Sequence, residues 1–222
     1  MIFEHVLKRV TYALAISFVC AVGFGGIALL VGVNRMDAFD SAVIGFIQGM
    51  ESDSLTKVMK MFTWLGTGLP IAVLTVIVGW VLYSALGHRR ELLLLGIAMA
   101  GSGLLNYLLK LAFQRARPNI HRIMEVNGYS FPSGHSMAAF SLYATIAYLL
   151  WRHIPSASGR VILILVSSLF ILIIGISRIY LGVHYPSDVI GGYLASGCWV
   201  YALVWAYTGF GRASAVTYPG SR

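Results

Sequence analysis

The sequence predicts an all-α, polytopic membrane protein: six transmembrane helices, with surface amphipathic helices in the first outer loop. Three observations predict it. Of 222 residues, 58% are hydrophobic and 11% charged, and the mean hydropathy is +0.80, beyond the apolar content of an ordinary soluble domain. Apolar runs of bilayer-spanning length, about 20 residues, recur along the chain. The basic residues behind the formal charge of +8 lie in short groups at the ends of those runs. That placement fits membrane orientation and excludes a nucleic-acid stripe.

The first run, 10–33, follows Lys8 and Arg9. It is too long for a signal-peptide core and lacks a small-residue cleavage site, so it is expected to remain as the first span. In 34–66, Phe39, Val43, Phe46, Ile47 and Met50 recur at helical spacing, as do Leu55, Val58, Met59 and Phe62, with Lys57 and Lys60 on the other face. This predicts amphipathic helices on the outer surface, either as a packed loop or as a lid that guides substrate. The remaining spans are expected at 67–86, 91–114, 134–151, 160–177 and 187–208. The tail GFGRASAVTYPGSR reads as a short polar end. Cys20 and Cys198 lie in apolar runs without zinc-ligand spacing and read as buried thiols. A single domain covering 1–222 follows.

An even number of spans puts both termini on one side, and Lys plus Arg then divide eight and eight between the two sides. Loop length breaks the tie, because the positive-inside rule acts through short loops such as HRRE and WRHIPSASGR. The expected topology is a multi-pass protein of the cell membrane with cytoplasmic termini.

Ionisable residues at membrane depth cost about 2.5–3.5 kcal/mol each, so polar segments bordering the spans need a reason. Three stand out: KLAFQRARP at 110–118, FPSGHS at 131–136 and SRIYLGVHYPSD at 177–188. Singly, each has an ordinary explanation: Lys110 and Arg117 can snorkel, Ser133 can cap a helix, and His135 or His184 can sit at the interface. The six-span layout brings all three to the same outer face, where they can form one pocket.

Lys110 with Arg117-Pro118, then Pro132-Ser133-Gly134-His135, then Ser177-Arg178 with His184 and Asp188 resemble the three-part signature of the type-2 phosphatidic acid phosphatase (lipid phosphate phosphatase) superfamily. Every signature position is filled, in order. The surrounding spans resemble its integral membrane branch, which includes bacterial phosphatidylglycerophosphatase B and undecaprenyl pyrophosphate phosphatases. The resemblance implies a phosphatase acting on a lipid phosphomonoester or pyrophosphate at the extracytoplasmic face. It implies His184 as the nucleophile of a phosphohistidine intermediate and His135 as general acid, then base. It ranks phosphatidylglycerol phosphate first among substrates and undecaprenyl pyrophosphate, in cell-wall lipid carrier recycling, second.

The residues suit that chemistry. Lys110, Arg117 and Arg178 supply positive charge, and guanidiniums bind phosphate oxygens through paired hydrogen bonds. A helix starting near Ser133 aims unpaired amides at an anion, and Gly134 permits close approach. His184 and Asp188, at i and i+4, let the carboxylate orient the imidazole and fix its tautomer. No carboxylate cluster suits Mg²⁺ and no His/Cys set suits zinc, so neither metal nor cofactor is expected. The expected partners are a lipid phosphate and the bilayer, with neither nucleic acid nor an obligate protein partner. A phosphate or lipid transporter could use the same cations, and a vanadate-dependent oxidoreductase the same anion site; paired histidines beside Asp188 favour hydrolysis.

Overall fold

The computed structural model describes residues 2–84, 89–119 and 121–217, with side chains at 11–84, 90–119 and 121–208. These residues form eight helices and no strand: α1 (Ile2–Gly32), α2 (Asp37–Gln48), α3 (Asp53–Leu65), α4 (Gly68–Ser84), α5 (Arg89–Phe113), α6 (Gly134–Trp151), α7 (Ala157–Tyr180) and α8 (Pro186–Thr217).

Local chemistry sets the helix ends. Two acids, Asp37 and Asp40, occupy the first turn of α2, where the helix dipole favours them. The hydroxyls of Ser52 and Ser156 cap α3 and α7, accepting from the amides of Leu55 and Gly159. Pro186 opens α8 at the position that needs no amide donor. Helix α5 stops at Phe113, and Gln114 turns away with a φ of 45°.

A helix forms in each predicted interval. Four are long and apolar enough to cross a membrane: Thr11–Gly32, Arg90–Phe113, Ala157–Tyr180 and Pro186–Thr208. Helices α3 and α4 pass together as a pair bent by 55°, which raises the number to five. The remaining interval, 134–151, is matched by α6 residue for residue, but its 18 residues include His135, Ser136, Ser141 and Thr145. This helix is surrounded by protein, since α4, α5, α7 and α8 all pack against it. Its composition is that of a core helix and not of a lipid-facing one.

Three other expectations change. The tail is not a short polar end, because α8 continues as helix to Thr217; 218–222 lie outside the described residues, as do 85–88, which hold part of the expected HRRE loop. Cys20 and Cys198 are free thiols but only half-buried, on neighbouring faces of α1 and α8. Helix α2 turns inward the face carrying Asp40, Ile44 and Ile47, whereas Phe46, expected with the apolar stripe, is 72% exposed.

The loop 34–66 is packed onto the bundle. Ile44 and Ile47 join Ile179, Tyr180, Leu181 and Val183 in one apolar cluster. Gln48 Nε2 donates to the carbonyls of His121 and Tyr180, and the Tyr180 hydroxyl lies 2.8 Å from Thr56 Oγ1. Two glycines permit the close approaches that shape the polar end. Gly182 has a φ of +72°, and a Cβ there would fall 1.9 Å from the His121 carbonyl oxygen. On α8, a Cβ at Gly192 would fall 2.9 Å from the Ser133 carbonyl, so α6 and α8 meet backbone to backbone at their starts.

Gly182→Ala is expected to destabilise the protein by about 1–3 kcal/mol, the cost of a strained backbone with a clash, read as a lower thermal midpoint in detergent. Gly26→Ala, whose added Cβ meets nothing within 4 Å, should leave the midpoint unchanged or raise it.

Candidate active site

Helix ends place each of the signature residues. Lys110 is in the last turn of α5 and Arg178 in the last turn of α7; Ser133 precedes α6, and Gly134 and His135 begin it. Asp188 is in the first turn of α8, four residues after His184 in the preceding short turn. All lie at one end of the bundle. His135 is within electrostatic range of Arg178, His184, Arg117 and Lys110, and so the three segments do converge.

Arg117 is the centre of the loop 114–133. Its Nε donates to Gly128 O, its Nη2 to Asn127 O and Tyr129 O, and its Nη1 to Val183 O at 2.7 Å. The same Nη1 lies 3.2 Å from His184 Nε2. Lys110 Nζ donates to the Tyr129 carbonyl, and Arg178 Nη1 to Thr63 Oγ1 of α3. Three cations are thus held by neutral acceptors; Lys110 and Arg178 retain further donors for an anion, whereas the five N–H groups of Arg117 are all engaged, one of them on His184 Nε2.

His184 is 1% exposed. Its Nδ1 faces Asp188 Oδ2 at 3.3 Å. A guanidinium can only donate, so Nε2 accepts from Arg117 and the ring proton belongs on Nδ1, facing Asp188. This tautomer leaves the Nε2 lone pair directed toward the cations. Burial, then Arg178, Arg117 and Lys110, holds the His184 pKa well below its ordinary value. Burial likewise lowers Arg117, with Arg122 adding to it and Asp188 opposing.

Two side-chain atoms deep in this cluster have no protein partner, His135 Nε2 and Arg178 Nε. Buried polar atoms are normally satisfied, so these two mark where a polar ligand would bind. The first-turn amides of α6 stand beside them, with no intrahelical acceptor before them.

The structure refines two of the expectations. The Ser133 amide is already committed, donating to Asp188 O at 3.0 Å, and its hydroxyl accepts from Ser136 Oγ instead of capping the helix. A Cβ at Gly134 would lie 3.0 Å from Asn106 Oδ1, so this glycine accommodates Asn106, whose Nδ2 donates to Pro132 O.

Four further residues belong to the site. Arg115 donates to Asp188 Oδ1 and to Ser187 Oγ, each at 2.7 Å, and to Asp40 Oδ2 at 2.9 Å. Ser187 donates to Asp40 through both amide and hydroxyl. Thr63 meets Arg178. In the sequence Arg115 is one more basic residue at a span end and Asp40 one acid on an amphipathic helix. Only a polar residue breaking the inward face of α2 signalled them.

Three cations, an oriented buried imidazole and a second imidazole, gathered at one end of a bundle of membrane-length helices, define an enzyme of the membrane phosphatase class. The chain belongs to the PAP2 superfamily, whose family model matches residues 91–212. It is 33% identical over 168 residues to phosphatidylglycerophosphatase B of Bacillus subtilis (strain 168), covering 75% of this chain and 82% of that one. It is 30% identical over 152 residues to the putative undecaprenyl-diphosphatase YbjG of Escherichia coli (strain K12), covering 64% and 70%. The crystal structure of the transmembrane PAP2 type phosphatidylglycerolphosphate phosphatase from Bacillus subtilis superposes with a TM-score of 0.78 at 29% identity, over 89% of this chain and 96% of that one. The protein is a multi-pass membrane lipid phosphatase of this family.

Because the His184 pKa is depressed, the neutral ring persists as pH falls through the ordinary histidine range. In protein carrying isotope-labelled histidine, the His184 ring resonances should show no protonation between pH 7.5 and 5.5; a midpoint near 6.5 would contradict the burial-based assignment.

Proposed function

We infer that the protein hydrolyses a phosphomonoester or pyrophosphate of a membrane lipid head group through a phosphohistidine on His184. The observation that carries this reading is the His184 environment: Nδ1 on Asp188 and Nε2 toward Arg117, Lys110 and Arg178. A transporter needs bound phosphate but no oriented nucleophile.

In the first step His184 Nε2 attacks phosphorus and the phosphorus–oxygen bond to the lipid breaks. The departing oxygen takes a proton from His135 Nε2. Arg117, Arg178 and Lys110 offset the charge on the transferring phosphoryl oxygens, and Asp188 stabilises the imidazolium formed at His184. In the second step His135 accepts a proton from water as the water oxygen attacks phosphorus. The phosphorus–nitrogen bond breaks, phosphate leaves, and both histidines regain their starting states.

The carboxylates nearest the site support a metal-independent reaction, since Asp188 and Asp40 already share Arg115 between them. Phosphatidylglycerol phosphate is the favoured substrate, supported by the match to a phosphatidylglycerophosphatase that extends over 75% of this chain. Undecaprenyl pyrophosphate is the second, supported by the YbjG relative. The topology proposed is six spans, with α3 and α4 contributing one bent element and α6 the central span. The termini are cytoplasmic and the active site extracytoplasmic.

Purified protein in mixed micelles should release phosphate from a panel of lipid phosphates, with the highest specificity constant for phosphatidylglycerol phosphate and full activity in excess EDTA. His184→Ala should abolish turnover and any acid-labile phosphoenzyme; near-normal turnover would remove the nucleophile assignment. Arg178→Lys should lower kcat/KM by about 100-fold, because a point charge cannot reproduce a guanidinium fork. For orientation, Glu125, whose side chain is 86% exposed, serves as the probe site: Glu125→Cys should react with an impermeant thiol reagent on intact cells, and labelling only after lysis would reverse the topology.

A further inference from the structure

We propose that Arg115 and Asp40 are positioning residues for the phosphatase reaction, forming a clamp that turns one carboxylate oxygen of Asp188 toward His184. The inference rests on the reading of His184 as nucleophile.

Asp188 has its two oxygens assigned to different partners. Oδ1 accepts from Arg115 Nη1 at 2.7 Å, whereas Oδ2 accepts from the Tyr185 amide at 2.9 Å and faces His184 Nδ1 at 3.3 Å. The imidazole contact is the longest of the three, and it cannot set the carboxylate plane alone. With Oδ1 pinned by a charge-assisted bond, Oδ2 is left in the plane that the imidazole needs.

Arg115 itself would be free to turn without a second anchor. Asp40 supplies it at 2.9 Å, Ser187 accepts from Arg115 and donates to Asp40, and the Tyr185 ring lies 4.0 Å beneath the guanidinium carbon. Asp40, Ser187 and Asp188 are each at most 1% exposed, so water does not substitute for a lost partner and the bonds carry orientation. Burial would lower the Arg115 pKa, but Asp188 and Asp40 outweigh it and hold the group up. Asp40 lies 148 positions before Asp188 in the chain (188 − 40), so a helix of the first loop reaches the relay.

The test compares Arg115→Gln, Arg115→Lys and Asp40→Asn with the unaltered protein and His184→Ala, on one lipid phosphate in mixed micelles, with inorganic phosphate as competitive inhibitor. Arg115→Gln should lower kcat by about 10- to 100-fold, the range for a lost orienting partner, while KM and the inhibition constant of phosphate stay within about twofold. Asp40→Asn should show the same split with a smaller loss, and Arg115→Lys should recover part of kcat by restoring one charge-assisted bond. An unchanged kcat in Arg115→Gln, or a rise in KM and in the phosphate inhibition constant, overturns the clamp. Should Arg115→Gln fail to fold, Asp40→Asn decides, and a kcat equal to that of the unaltered protein overturns it. Turnover surviving in His184→Ala would instead sink the nucleophile reading, whatever the Arg115 series shows.

Discussion

Three cations stand together at one end of an apolar bundle, and their mutual repulsion is the constraint to which the polar end is built. No carboxylate neutralises Lys110, Arg117 or Arg178 directly among the described hydrogen bonds. Backbone carbonyls at 127–129 and 183 and the Thr63 hydroxyl hold them instead. Neutral acceptors fix direction without cancelling charge, so the positive field remains available to an anion. Asp188, the acid facing His184, is engaged by Arg115 and by none of these three cations among the described hydrogen bonds.

That arrangement explains why the outer helices α2 and α3 are packed and not loosely attached. Thr63 from α3 steadies Arg178, and Asp40 from α2 steadies Arg115. Gln48 ties the same segment to His121 and Tyr180 through their carbonyls. A helix pair that also covers the apolar cluster of Ile44, Ile47 and Tyr180 therefore contributes two side chains to the polar end.

Much of this was legible in the sequence because the reacting groups lie in three short stretches, each bound to one helix end. Lys110, Arg117, Ser133, Gly134, His135, Arg178, His184 and Asp188 all lie at one end of the bundle. Their supporting partners were not legible, since hydrogen bonds such as Arg115 to Asp40, 75 positions apart, leave no local pattern. Apolar periodicity found α2 with Phe46 in its apolar stripe, but the packed face of the helix carries Asp40, Ile44 and Ile47, and Phe46 is exposed. Length and apolarity locate lipid-facing helices well. They pass over α6, which is packed against by α4, α5, α7 and α8 and carries serines and a threonine.

The backbone bond from the Ser133 amide to the Asp188 carbonyl joins the starts of α6 and α8, and the Gly192 approach leaves no slack beside it. The two histidines therefore ride on a single rigid unit. A wider or narrower leaving group cannot be met by spreading them apart. On the proposed mechanism, tolerance for different head groups resides in the rim around that unit, in residues that never touch phosphorus.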